Sequence, residues 1–301
     1  MNVLCNLKAF VVRLKFLYRD WKYINLFADS DKKELDVTLA LLRKNCHILD
    51  KGLHIVPFDK GHGRKTYNEA LALKRNLVST PKENDLSFLW CCDIIALYEK
   101  AQKNELKELN IPFHNYNKSE KQLIYDFLHS RVSCRNFNNI IIDDCIWNEI
   151  IGIAADAPNG CCRQTSRIYV VNDRTTISKL KHNIGGATGF SNGIPYLLCV
   201  TSDVRSYACM DRMLAYIDAS LFVENLVLAC RANNVFTTIL NFQHASEKER
   251  NNVMELLNIP LYERIIVFIA AGRVDFVPVK PLRMHCLLYT SPSPRDGLLS
   301  R

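Results

Sequence analysis

The chain has 301 residues, 48% of them hydrophobic and 23% charged, with a formal net charge of +8. That much apolar chain can bury the core of one large or two ordinary domains and excludes a disordered protein. The basic residues are scattered among acids, and no zinc-finger spacing, aromatic RNA-binding box or DNA-reading motif accompanies them, so no nucleic-acid partner is expected.

From the start of the chain, Lys8, Arg13, Lys15 and Arg19 interrupt every apolar group, which argues against a secretory leader. A stripe of Phe10, Val11, Leu14, Phe16 and Leu17 reads as the core face of a first helix in preference to a membrane-surface anchor. No segment approaches the roughly 20 apolar residues of a membrane span. A cytoplasmic protein without a transmembrane span is therefore expected, its twelve cysteines free thiols. With no C-x-x-C and scattered histidines, a metal site has no support.

Leu35, Leu39, Leu42 and Ile48 recur at helical spacing before the stop at Lys51-Gly52, and further helices are predicted over Tyr67 to Leu77 and Leu86 to Ala101. The turn Gly61-His62-Gly63, beside Arg64 and Lys65, has neither a Walker pattern nor a preceding strand and reads as a helix connection. Residues 1–117 thus form a helical region that ends in the polar stretch Asn115 to Lys118.

Beyond it the rhythm changes to alternating helices and strands. Helices are predicted over 120–129, 143–156 and Tyr216 to Ala232, and strands over Ser166 to Val171, Tyr196 to Thr201, Phe236 to Leu240 and Ile265 to Ala271. The 216–232 helix is apolar on nearly every face, which implies a central or interface position. Residues 285–301 lose all periodicity and read as a disordered tail or a sequence artefact.

Two clusters carry chemical information. In Arg131-x-Ser133-x-Arg135-x-Phe137, two guanidiniums and a hydroxyl at alternate positions of an extended segment can share an anion. In Ala157-Pro158-Asn159-Gly160-Cys-Cys162-Arg163-Gln164, a turn between a helix and a strand can present amides and a side-chain amide to a planar polar ring.

In their order along the chain, these pieces resemble the nitroreductase family. The first looks like its R-x-S-x-R-x-F opening, and the second like its A-P-S-x-x-N-R-Q loop, with Cys162 where the family has Asn. Gly193 to Val200, the 216–232 helix with Asn225, Thr237 to Phe242, and Leu256 to Arg283 are similar to later family segments.

The resemblance implies an α+β fold: three layers, with a mixed, mainly antiparallel central sheet between helices, over residues 118–284. It also implies a homodimer with FMN at the interface. Arg131, Ser133, Lys280 and Arg283 would hold the phosphate and ribityl end, and Arg135 the pyrimidine side. Pro158, Asn159, Gly160, Cys162 and Gln164 would come from the partner subunit, while Leu240 and Asn241 would make backbone contacts near N5. The implied activity is ping-pong transfer of hydride from NADH or NADPH to a small electron-poor acceptor, without a catalytic protein side chain. The same fold in the family also supports dehalogenation and oxidation, and a non-catalytic scaffold with a helical binding module is the remaining alternative.

Overall fold

The computed structural model describes residues 10–11, 14, 17–18, 20–22, 34–55, 57–105 and 113–282. Arg283, Phe16 and residues 285–301 lie outside the described residues.

Besides the helical residues described between 10 and 22, the front contains α1 (Leu35–Leu53), α2 (Arg64–Arg75) and α3 (Leu86–Gln102). Leu42, Cys46 and Leu49 on α1 meet Ala70, Leu77, Cys91 and Ile95 in a dry core, each almost fully removed from solvent. The Gly61-His62-Gly63 turn does connect helices. Gly63 caps α2 in the left-handed region at φ 75°, and a Cβ there would press on Leu49 at 3.0 Å, so only glycine fits. Phe10, Val11, Leu14 and Leu17 remain exposed, against the core-face expectation.

The second part begins at α4 (Lys118–Ser130), whose start is set by a capping box between Asn117 and Glu120 and none of whose residues is buried. It continues through α5 (Asp144–Ala155), β1 (Ser166–Val171), α6 (Arg174–Leu180), β2 (Tyr196–Asp203), α7 (Leu214–Ala232), β3 (Phe236–Leu240), α8 (Glu247–Leu256) and β4 (Glu263–Gly272). The strands are ordered β1-β2-β4-β3, with every neighbouring pair antiparallel. Ser133 adds one parallel bridge to Thr237 on the open edge of β3.

The sheet is the middle of three layers. Side chains alternate along β2: Leu198 and Val200 face Trp147 and Ile150 of α5 and Phe222 and Leu226 of α7, whereas Leu197 and Cys199 face Leu180 of α6 and Val253 of α8. Helices on both faces explain why β2 is buried along its whole length.

Within one chain, helix α7 is covered on one side only. Ala215, Asp218, Ala219, Phe222 and Leu226 are buried, but Ile217 and Leu221 are exposed on its other side. Among the described residues no helix is long and apolar enough to cross a membrane.

Candidate functional site

The segment after α4 runs along the edge of β3. Cys134 N–H donates to the Thr237 carbonyl at 3.1 Å, and the Thr238 hydroxyl donates to the Cys134 carbonyl at 2.5 Å. This pins Ser133 beside Thr237. Arg131, Arg135 and Arg231 all act on the Cys134 thiol, though burial outweighs them and raises its pKa. Lys280 Nζ joins this end of the fold by donating to the His129 carbonyl at 3.0 Å. Among the described residues none of these four cations pairs with a carboxylate. Clustered positive charge left uncompensated favours an anion.

The loop after α5 stands at the opposite edge of the sheet, leading into β1. Three strand spacings separate the two edges, about 14 Å. Cys161, Cys162 and Gln164 take φ values of 56°, 52° and 50°. Left-handed backbone costs a non-glycine residue roughly 1–2 kcal/mol, so three such residues in one loop need outside support.

That support comes from a buried polar network. Asp218 of α7, 3% exposed, accepts Gly160 N–H at 2.9 Å through Oδ1 and the Tyr207 hydroxyl at 2.7 Å through Oδ2. Tyr207 also bonds Thr165 Oγ1 at 2.6 Å, and Thr165 bonds Ser202 at 3.0 Å. Burial raises the Tyr207 hydroxyl above its ordinary pKa, and Asp218 adds to the rise. A Cβ at Gly160 would lie 3.3 Å from Asp218 Oδ2 and 3.1 Å from Leu214, so the close approach depends on glycine.

Arg163, 2% exposed, donates to the Gly160 carbonyl and to Asp211, each at 3.0 Å, with its guanidinium 5.1 Å from the Tyr207 ring centre. From the front region, Arg43 Nη2 donates to the Arg163 carbonyl at 2.6 Å.

Within the loop, Asn159 Oδ1 accepts Gln164 N–H at 2.9 Å, and its Nδ2 donates to the Ala157 carbonyl at 3.2 Å. Pro158 and the Gln164 side chain are exposed, and Cys162 is half-buried. Burial pushes the Cys162 thiol up, with Arg43 opposing. Asn159, Gln164, Arg167, Asp218 and Phe222 help line a cavity of about 220 Å³.

At the end of β3, Leu240 is buried and Asn241 exposed. Asn241 N–H donates to the Gly185 carbonyl at 3.1 Å, and its own carbonyl accepts Gly185 N–H at 2.8 Å. The amide is therefore committed within the chain, while the carbonyl keeps a second lone pair.

The structure thus places the expected residues in three groups: Arg131, Ser133, Arg135 and Lys280 on the β3 side; Leu240 and Asn241 at the far end of β3; and Pro158 to Gln164 at the β1 edge. Sequence reasoning missed Tyr207, Thr165, Arg163 and Arg43 as supports. Asp218 carried a readable signal, as one of the few strongly polar residues, with Glu224, Asn225 and Arg231, on a nearly all-apolar helix.

No protein-family model and no curated sequence matches the chain. Among solved structures it is similar to a protein of Parabacteroides distasonis assigned as an NADH dehydrogenase/NAD(P)H nitroreductase: 14% identity, TM-score 0.50, covering 57% of this chain and 98% of that one. NfrA2 of B. megaterium is 16% identical at a TM-score of 0.49, over 58% of this chain and 77% of that one. A nitroreductase with bound FMN from Desulfitobacterium hafniense is 17% identical at a TM-score of 0.46, over 56% and 97%.

Proposed function

We propose that this chain, whose fold is nitroreductase-like, is a homodimeric FMN-dependent oxidoreductase that uses NADH or NADPH to reduce a small electron-poor acceptor of the nitro, quinone or enone type. The observation that carries the reading is the group of cations at the β3 edge, unpaired with carboxylates among the described residues, on the strand that ends at Leu240-Asn241. From Thr237 to Asn241 the chain advances about 13 Å. That length suits a ligand with a phosphate at one end and a ring system at the other.

The donor set fits FMN. Arg131, Ser133 and Lys280, joined by Arg283, would hold the phosphate and ribityl end through charge-assisted bonds. Arg135 would face the pyrimidine carbonyls, where positive charge favours electron-rich flavin. Asn241 would face the ring with its side-chain NH2 and the second lone pair of its carbonyl, because its N–H is engaged by Gly185 and its Oδ1 by Gln243 N–H. Bound FMN would supply hydride acceptance and donation at N5, and the protein orientation and electrostatics.

The ring's second wall would be Pro158, Asn159, Gly160, Cys162 and Gln164 of the other subunit. One chain holds this loop and the cation group at opposite edges of its sheet, which favours a site closed by two copies. The exposed apolar residues Ile217 and Leu221 of α7, and the exposed Phe276, Val277, Val279 and Leu282 beyond β4, offer surface for that contact.

The test is an absorption spectrum of the purified or FMN-reconstituted protein, followed by chromatography of the heat-released cofactor. FMN supports the reading. FAD, or no flavin after reconstitution, refutes it. Turnover with nitroaromatics, quinones and halophenols under NADH or NADPH then separates acceptor reduction from dehalogenation.

A further inference from the structure

We infer that Arg43 of the helical front is a positioning residue for the Asn159–Gln164 loop, and that through it the front region takes part in flavin binding; the second half rests on the FMN reading above.

Arg43 lies on α1, 8% exposed. One side of its guanidinium donates to the Arg163 carbonyl at 2.6 Å, and the other to Ser87 Oγ of α3 at 3.0 Å. Its Nε has no acceptor, and among the described residues no carboxylate pairs with it. A buried guanidinium held by only a carbonyl and a hydroxyl is a costly way to fill space. Where packing alone matters, an apolar side chain of similar volume does as well or better. What arginine adds is a rigid fork that donates in two directions at once.

The backbone it grips is where support is needed. On one side Asp218 holds Gly160 N–H, and the Arg163 side chain closes back on the Gly160 carbonyl. Cys161 and Cys162 then pass through the left-handed region, and Gln164 does so again directly after Arg163. Arg163 thus sits between strained residues, and its carbonyl is the point that α1 ties down. Asp218 fixes the near end of the loop from α7, and Arg43 fixes the far end from α1. The exposed Gln164 amide and the half-buried Cys162 thiol are oriented between these two anchors.

The experiment compares the full-length native protein with Arg43→Met, Arg43→Lys and Leu77→Ala, the last a fully buried residue of the front core. Three quantities are read for each: peptide-resolved alkylation rates of Cys161 and Cys162 in the flavin-free protein, FMN dissociation constant by fluorescence, and Tm. Arg43→Met is expected to speed alkylation of Cys161 and weaken FMN binding, each by about tenfold or more, as for loss of one charge-assisted hydrogen bond; Cys162 should gain less, because the lost charge also favoured its thiolate. Its Tm should move by less than about 3 °C, because the buried charge leaves with the bond. Arg43→Lys, which keeps the charge but not the fork, should fall between and serves if the Met variant does not fold. Leu77→Ala should lower Tm further while leaving both loop readouts near native.

Native loop readouts in both Arg43 variants overturn the inference. So does an equal change in Leu77→Ala, which would mean general loosening of the front. A native protein that takes up no FMN overturns the flavin reading and the second half of this inference, while the thiol rates still decide whether Arg43 holds the loop.

Discussion

Removing one hydroxyl from the centre of the fold should measure how firmly α7 holds the loop. In Tyr207→Phe the ring stays, so the Arg163 guanidinium keeps its position near the aromatic face. Two hydrogen bonds go: 2.7 Å to Asp218 Oδ2 and 2.6 Å to Thr165 Oγ1. Thr165 retains Ser202 at 3.0 Å, so its loss is partly offset. Asp218 keeps Gly160 N–H but is left with one buried, unsatisfied carboxylate oxygen. A bond to a charged group contributes about 1.5–3 kcal/mol, and an orphaned buried acceptor brings the cost to the upper part of that range. We expect a loss of about 2–3 kcal/mol, and a fall in Tm of about 4–12 °C at the 2–4 °C per kcal/mol usual for larger domains. Urea denaturation of native protein and variant, with unchanged m-value, gives the number. A double-mutant cycle with Asp218→Ala should return a coupling of at least about 1 kcal/mol. A loss below about 0.5 kcal/mol, or coupling near zero, would refute the network as the loop's anchor.

Arg131→Ala should weaken FMN binding by about 1.5–3 kcal/mol at low salt, and the deficit should shrink as salt rises because screening already weakens the native contact; an unchanged dissociation constant places the anion elsewhere. Cys162→Asn should leave FMN affinity the same or tighter, since an amide both donates and accepts where a thiol does neither well. Loss of turnover with FMN still bound would instead mark Cys162 as a reacting group. Because burial raises the Cys162 thiol, its iodoacetamide rate should rise with pH to a midpoint above the ordinary value of about 8.5; a midpoint below 8 would contradict the passive role. Leu221→Lys, on the exposed side of α7, should produce a monomer by light scattering and release flavin; a flavin-loaded monomer would remove the two-copy site.

What the sequence determined by itself was local. Ser166–Val171 and Phe236–Leu240 were legible as strands because β-branched and aromatic side chains cluster there between turn residues. The helices before Lys51-Gly52, over Leu86 to Ala101 and over 120–129 were legible from apolar spacing, a short-range signal, while the capping box of Asn117 with Glu120 starts the last of them at Lys118, within the stretch read as a linker. The R-x-S-x-R and Pro-Asn-Gly clusters were legible for the same reason, since each lies within a few consecutive residues.

Only the tertiary structure decided what meets across long separations. No pattern announces that Arg43 will find the carbonyl of Arg163, 120 residues away, or that Tyr207 will sit between Thr165 and Asp218. The outer face of α7 shows the same limit: composition asked for cover on nearly every side, and only the layers show that within one chain α5 and the sheet supply it on one side, leaving Ile217 and Leu221 open. Asn241, expected to make a backbone contact near the ring, has its N–H committed to Gly185. The physical reason is common to all four. A hydrogen bond or a covered surface belongs to a pair of groups, and the second member is chosen by how the layers stack, which no single stretch of chain encodes.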